Sequence, residues 1–153
     1  LRDAIPDLAL TTDIIVGFSG ETDQDFQQTM DLMTEIRFDS AFMFRYSERS
    51  GTFAHKQMPD DVPDEVKAAR LQQIIALQEG ISVEKNHEWV GRSVEVLVEG
   101  KSRRAAASGH PTYFGRSPQG KVTIIEEPAA MNDLVTVRID RVTSHTLYGT
   151  TRA

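Results

Sequence analysis

Three short stretches hold residues whose types and spacing could do chemistry. The first is Gly17-Phe18-Ser19-Gly20-Glu21, which follows the apolar run Leu10 to Val16. Its glycines let the backbone turn tightly and approach a ligand closely, although a plain strand-to-helix connection with no ligand reads the same way, because short glycine turns are unspecific. The second is Tyr46-Ser47-Glu48-Arg49-Ser50-Gly51-Thr52-Phe53-Ala54. Ser47 and Arg49 offer hydroxyl and guanidinium donors to a carboxylate or phosphate; the alternative is a polar loop that turns at Gly51. The third is Lys101-Ser102-Arg103-Arg104, with Arg116 and Lys121 flanking the 117–120 turn and Tyr113 and Phe114 beside them. Cations interleaved with aromatics suit phosphate pairing and base stacking in looped RNA. A solvated charged face over core aromatics is the competing reading.

The elements that must position these stretches follow from periodicity. Leu10 to Gly17 reads as a strand covered on both faces. Thr22-x-x-Asp25 is a variant capping box, and Phe26, Met30, Met33 and Ile36 form the apolar stripe of a helix from Asp23 to Ile36. Asp39 to Tyr46 alternates as a second strand, so residues 10–46 make a βαβ unit with a right-handed crossover. Both candidate loops then fall at carboxyl ends of parallel strands, where barrel enzymes keep their working groups. Arg2 to Leu8 reads as the end of a helix broken at Pro6. A linker from Met58 to Asp64, with Pro63 suited to a first helical turn, leads into a long helix to about Asn86. Val66, Leu71, Ile74, Ile75, Leu77 and Ile81 are its apolar side. From Trp89 the pattern becomes β: Ser93 to Glu99, Thr112 to Arg116, Lys121 to Ile125, Leu134 to Val142 and Thr146 to Gly149. Five short strands fit a small closed barrel of the oligonucleotide-binding type, with 101–110 as a mobile loop or irregular strand.

Composition narrows the function classes. The 153 residues allow one ordinary domain or two small ones. Residues 1–88 carry 8 basic against 17 acidic side chains, and residues 89–153 carry 9 against 6. An acidic module followed by a basic one suggests different partners, the basic half being the candidate for a polyanion. No cysteine is present, which excludes disulfides, a thiol nucleophile and cysteine-ligated clusters within these residues. The four histidines have no metal-ligand spacing, so no metal site is expected. No run approaches the roughly 18 apolar residues of a membrane span, and no secretory signal opens the chain. It starts at Leu1 and reads as a fragment.

The first stretch, as Asp13-Ile14-Ile15-Val16-Gly17-Phe18-Ser19-Gly20-Glu21-Thr22, resembles the signature of the radical S-adenosylmethionine methylthiotransferases, with Ser19 where that family usually has proline. The loop 46–54 resembles the family's Y-S-x-R-x-G-T-x-A segment, and Arg49 resembles the tRNA-modifying, isopentenyladenosine branch; a ribosomal-protein branch tends to be acidic there. Phe38 to Phe42 resembles the same branch. In the second half, Val90-Gly91-Arg92, Glu95 to Gly100, Ser102-Arg103-Arg104, the 115–124 segment and Asp133 to Ile139 resemble the TRAM domain, with Asn132 where a glycine is usual. Asn is the next residue to tolerate a left-handed backbone.

The resemblance implies a fold: the α/β tail of a TIM-like radical barrel with a linker helix (1–88), then an all-β TRAM barrel (89–153). It implies a cytoplasmic tRNA methylthiotransferase that uses S-adenosylmethionine and two iron–sulfur clusters to add a methylthio group to isopentenyladenosine beside the anticodon. Gly17, Phe18, Gly20 and Glu21 would line the cofactor pocket, Tyr46, Ser47 and Arg49 the substrate side. Lys101, Ser102, Arg103, Arg104, Arg116 and Lys121 would contact the tRNA anticodon stem-loop. No catalytic residue or bound cofactor is expected here, since clusters need cysteines. An open sheet edge could also pair two copies. The other readings are a ribosomal-protein methylthiotransferase and a non-catalytic RNA-binding module.

Overall fold

The computed structural model describes residues 1–103, 109 and 111–151. The chain divides into two compact units, residues 10–81 and residues 1–9 with 82–153.

In the first unit, β1 (Thr11–Val16), α1 (Asp23–Ile36) and β2 (Ser40–Arg45) form the expected βαβ unit. The strands pair in parallel, with Thr11 opposite Ser40 and Val16 opposite Arg45. The capping box closes as its sequence suggests: the Thr22 hydroxyl accepts from the Asp25 amide at 3.2 Å, and the Asp25 carboxylate accepts from the Thr22 amide at 2.9 Å. Arg37 ends α1 in the left-handed region, φ 53°. Two elements follow, a short α2 (Phe53–Gln57) that periodicity does not reveal, capped by Thr52, and the long α3 (Asp64–His87). The core is Val16, Phe26, Met33 and Ile74, joined by Ile14, Met30, Met43, Leu71 and Leu77. Each such side chain contributes roughly 1.5–3 kcal/mol on leaving water.

Two expectations change here. The strand at 10–17 is covered on one face only: Ile14 and Val16 pack inward, whereas Ile15, Phe42 and Phe44 stand more than half exposed. Only Thr52 and Ala54, at the start of α2, border that second face from beyond the strands and their adjoining loops. Residues 2–8 form turns rather than a helix end.

The second unit holds β3 (Ser93–Lys101), β4 (Tyr113–Arg116), β5 (Val122–Ile125), β6 (Leu134–Val142) and β7 (Leu147–Thr151). They close into a barrel in the order β3-β4-β5-β7-β6, as the strand count suggests. Alternation places Val94, Val96 and Val98 inside with Ile125, Val137, Ile139 and Leu147, and Trp89 packs on them. Lys101, expected in a mobile loop or irregular strand, is the last residue of β3, past a register shift between Val98 and Gly100. Asn132 adopts φ 69°, the left-handed backbone foreseen for it. No described helix is long and apolar enough to cross a membrane.

Candidate functional site

The glycine turn is built by local hydrogen bonds. The Glu21 amide donates to the Phe18 carbonyl at 2.9 Å, and Gly20, third residue of that turn, has φ +79°. This is the geometry of a type II turn, whose second place favours proline. Ser19 sits there, buried, its hydroxyl without a hydrogen-bond partner. The turn's amides are already engaged: Gly17 donates to the Glu21 carboxylate at 2.7 Å, and Gly20 donates to Asp61 at 2.7 Å.

Glu21 is in turn held by Arg70 of α3, whose guanidinium donates to the Glu21 carboxylate at 2.6 Å, to the Glu21 carbonyl at 3.1 Å and to Asp23 at 2.7 Å. Burial alone would lower the Arg70 pKa, but the hydrogen bonds and charges of Asp23 and Glu21 outweigh it and raise the value above its ordinary level. Lys67, one turn earlier on α3, is 2% exposed and reaches Asp60 at 2.5 and 2.6 Å. Its ammonium also lies 5.5 Å from the centre of the Tyr46 ring.

Phe18 points out of the turn and meets Tyr46 edge-on at 4.9 Å. The two rings border a cavity of about 670 Å³ over the uncovered face of β1 and β2, lined also by Asp13, Ile15, Phe42, Phe44, Ser47 and Arg49. The structure therefore brings Phe18 together with Tyr46, Ser47 and Arg49, while Gly17, Gly20 and Glu21 shape the turn behind them. Inside this unit the Tyr46 hydroxyl is buried without a partner, although buried polar atoms are ordinarily satisfied. The volume lies within the roughly 300–1,000 Å³ of small-molecule sites.

On the barrel, Lys101 and Arg103 are exposed and Ser102 is half-buried. Arg104 lies outside the described residues. Arg116 is paired with Glu99 at 2.7 Å, and Lys121 donates to Asn86 at 2.8 Å, so both cations have partners within their own unit. Tyr113 packs on the barrel core, and the Phe114 ring lies against Gly100. Two cation–aromatic contacts also stand on this unit, Arg92 over Trp89 at 4.3 Å and Arg141 over Tyr148 at 3.6 Å. Asp7 braces the first and Glu126 the second. Sequence reasoning misses both contacts. Arg141 meets Tyr148 only through the β6–β7 register, which a bulge shifts between Ile139 and Arg141. Lys67 and Arg70 were missed too, although they share a helical phase with Ile74 and Ile81, a signal that spacing could have supplied.

Comparison with known proteins adds two findings. Residues 88–151 match the TRAM domain model, so the barrel is a TRAM domain. Over 97% of its length the chain is 46% identical to the tRNA-2-methylthio-N(6)-dimethylallyladenosine synthase of Porphyromonas gingivalis, covering 32% of that protein. It is 50% identical over 97% to the enzyme of that name from Chlorobium limicola, covering 33% of it, and 46% identical over 98% to that of Methylacidiphilum infernorum, covering 31%. The chain thus spans about a third of the length of these curated relatives. The resemblance read from the glycine turn and the basic module holds along both units.

Proposed function

We propose that this chain, which belongs with the tRNA methylthiotransferases over almost its whole length, is the part of such an enzyme that walls its cofactor pocket and carries its RNA-binding barrel. In this reading the enzyme adds a methylthio group to carbon 2 of isopentenyladenosine beside the anticodon. The observation that carries it is the 46–50% identity to synthases of that activity, running unbroken from the glycine turn through the TRAM domain.

The uncovered face of β1 and β2 supports the reading, because parallel strands need cover on both faces; here it would be the inside of a larger barrel. The residues around the cavity fit S-adenosylmethionine. Phe18, Ile15, Phe42 and Phe44 offer apolar surface for an adenine ring, and Asp13 an acceptor. Ser47 and Arg49 stand at the strand end, where they would meet the substrate. When bound, S-adenosylmethionine supplies a radical and a methyl group. The iron–sulfur clusters need thiolates, and this chain has no cysteine; other parts of the enzyme would hold them. The exposed Lys101 and Arg103, with Arg92 and Arg141, would face tRNA phosphates and bases. A homodimer through the free edges of β1 and β2 is an expectation for the isolated chain alone, checked by its mass in solution.

The test is binding of the chain to an unmodified anticodon stem-loop across a salt series, beside Lys101→Ala/Arg103→Ala. Two lost phosphate contacts should lower the slope of log K against log salt by about 1.4–1.8. Absence of binding at low salt, or an unchanged slope, would move tRNA recognition off this face.

A further inference from the structure

We infer that α3, with its lead-in Asp60–Asp61, is a brace of the cofactor turn, and that Glu21 and Arg70 are positioning residues acting through the Gly17 backbone. The inference rests on the reading of the 17–21 turn as a cofactor wall, and it revises Glu21 from a pocket-lining group to a strut behind the pocket.

Three independent contacts make the brace. The Glu21 carboxylate takes the Gly17 amide at 2.7 Å and is clamped by Arg70 at 2.6 Å. Asp61 takes the Gly20 amide at 2.7 Å. The stem of Lys67 packs on Gly17 so closely that a Cβ at that position would lie 2.3 Å from Lys67 Cγ, and φ is +74° there. Lys67 cannot swing aside cheaply, because its ammonium is buried on Asp60. Arg70 is likewise held on several sides, 5% exposed, 5.4 Å from the Phe26 ring centre and forked across Glu21 and Asp23. Gly17, Gly20 and Glu21 are therefore each held by α3 or its lead-in, while Phe18 lines the cavity. A linker that only joined two units would need none of these buried charges, each of which costs solvation.

A carboxylate that touched the cofactor directly and one that holds the turn differ in their coupling to Arg70. In the whole enzyme with its clusters loaded, S-adenosylmethionine affinity is measured by calorimetry for Phe18→Ala, Glu21→Gln, Arg70→Met and Glu21→Gln/Arg70→Met. Positioning predicts that each single change in the pair weakens binding by about tenfold, the scale of one charged hydrogen bond, and that the double change costs no more than either. Loss in Glu21→Gln with wild-type affinity in Arg70→Met, or additive losses, would overturn the inference. Wild-type affinity in both with loss in Phe18→Ala would overturn it and leave the pocket standing; wild-type affinity in Phe18→Ala as well would remove the pocket and the brace together. Amide exchange at Gly17 in the 153-residue chain is a readout free of activity. It should accelerate by about tenfold in Glu21→Gln and in Arg70→Lys, which keeps the cation and takes the place of Arg70→Met should that variant not fold. Unchanged exchange in both would also overturn the inference.

Discussion

The two units bury their interiors in opposite ways. The TRAM barrel closes its hydrogen bonding around five strands and fills with Val96, Val98, Ile125, Val137, Ile139 and Leu147, all at most 1% exposed. The α/β unit has one finished face and one bare face, and its interior includes Lys67, Arg70 and Gln78 among the apolar residues. A closed barrel has no edge to complete and no face to cover. A two-stranded parallel sheet has both. In the first unit Lys67 and Arg70 are buried behind the 17–21 turn, whereas Lys101, Arg103 and Arg116 of the second stand exposed.

That contrast can be broken first in the barrel. Gly149→Ala places a Cβ 1.9 Å from the Arg138 carbonyl oxygen, in the backbone of the neighbouring strand. The change should cost at least about 3 kcal/mol and lower the barrel's transition in a calorimetric scan, since backbone cannot give way as a side chain does. In the α/β unit the matching change is Asp60→Ala, which leaves the buried Lys67 ammonium only Asp64 at 3.8 Å and the Tyr46 ring at 5.5 Å. About 2–3 kcal/mol of stability should go, read by urea titration. Lys67→Met should cost less than about 1 kcal/mol, because the Asp60 left behind is a quarter exposed and can hydrate. Equal losses from the two variants would mean that the pair, rather than the buried ammonium, sets the cost.

Smaller effects sharpen the account of the turn. Ser19→Pro removes an unpartnered buried hydroxyl and presets φ at the second place of a type II turn. A gain of about 0.4–1 kcal/mol in the same titration is expected. The capping box gives the smallest signal. Hydrogen bonds from the Thr22 side chain and backbone hold the Asp25 carboxyl below its ordinary pKa. A depressed carboxylate stabilises the fold fully above the unfolded value of about 3.9 and loses that contribution as pH falls through the lower folded value. Thr22→Ala should flatten the stability profile in that acid window and leave it parallel to wild type at neutral pH.

Legibility followed the range of the interactions. The capping box, the apolar stripe of α1 and the five barrel strands rest on neighbours close in sequence and could be read from type and spacing, whereas the left-handed Asn132 followed from the resemblance. The short α2 has too few residues to show a period. The bare face of β1 escaped because an apolar strand looks the same whether its second face is covered or open. The resemblance implies a pocket role for Glu21, but its pairing with Arg70, 49 residues away, lies beyond any local pattern. The Arg141–Tyr148 contact needed a bulge that no sequence pattern announces.

Hydrogen–deuterium exchange of the isolated chain beside the whole enzyme tests the central contrast most directly. Amides of β3–β7 should be equally protected in both. Those of β1 and β2 that do not pair with each other should exchange fast in the isolated chain and slowly in the enzyme, where further strands and cover are supplied. Equal protection of β1 and β2 in the isolated chain would contradict that contrast, and would mean that this unit is complete as it stands.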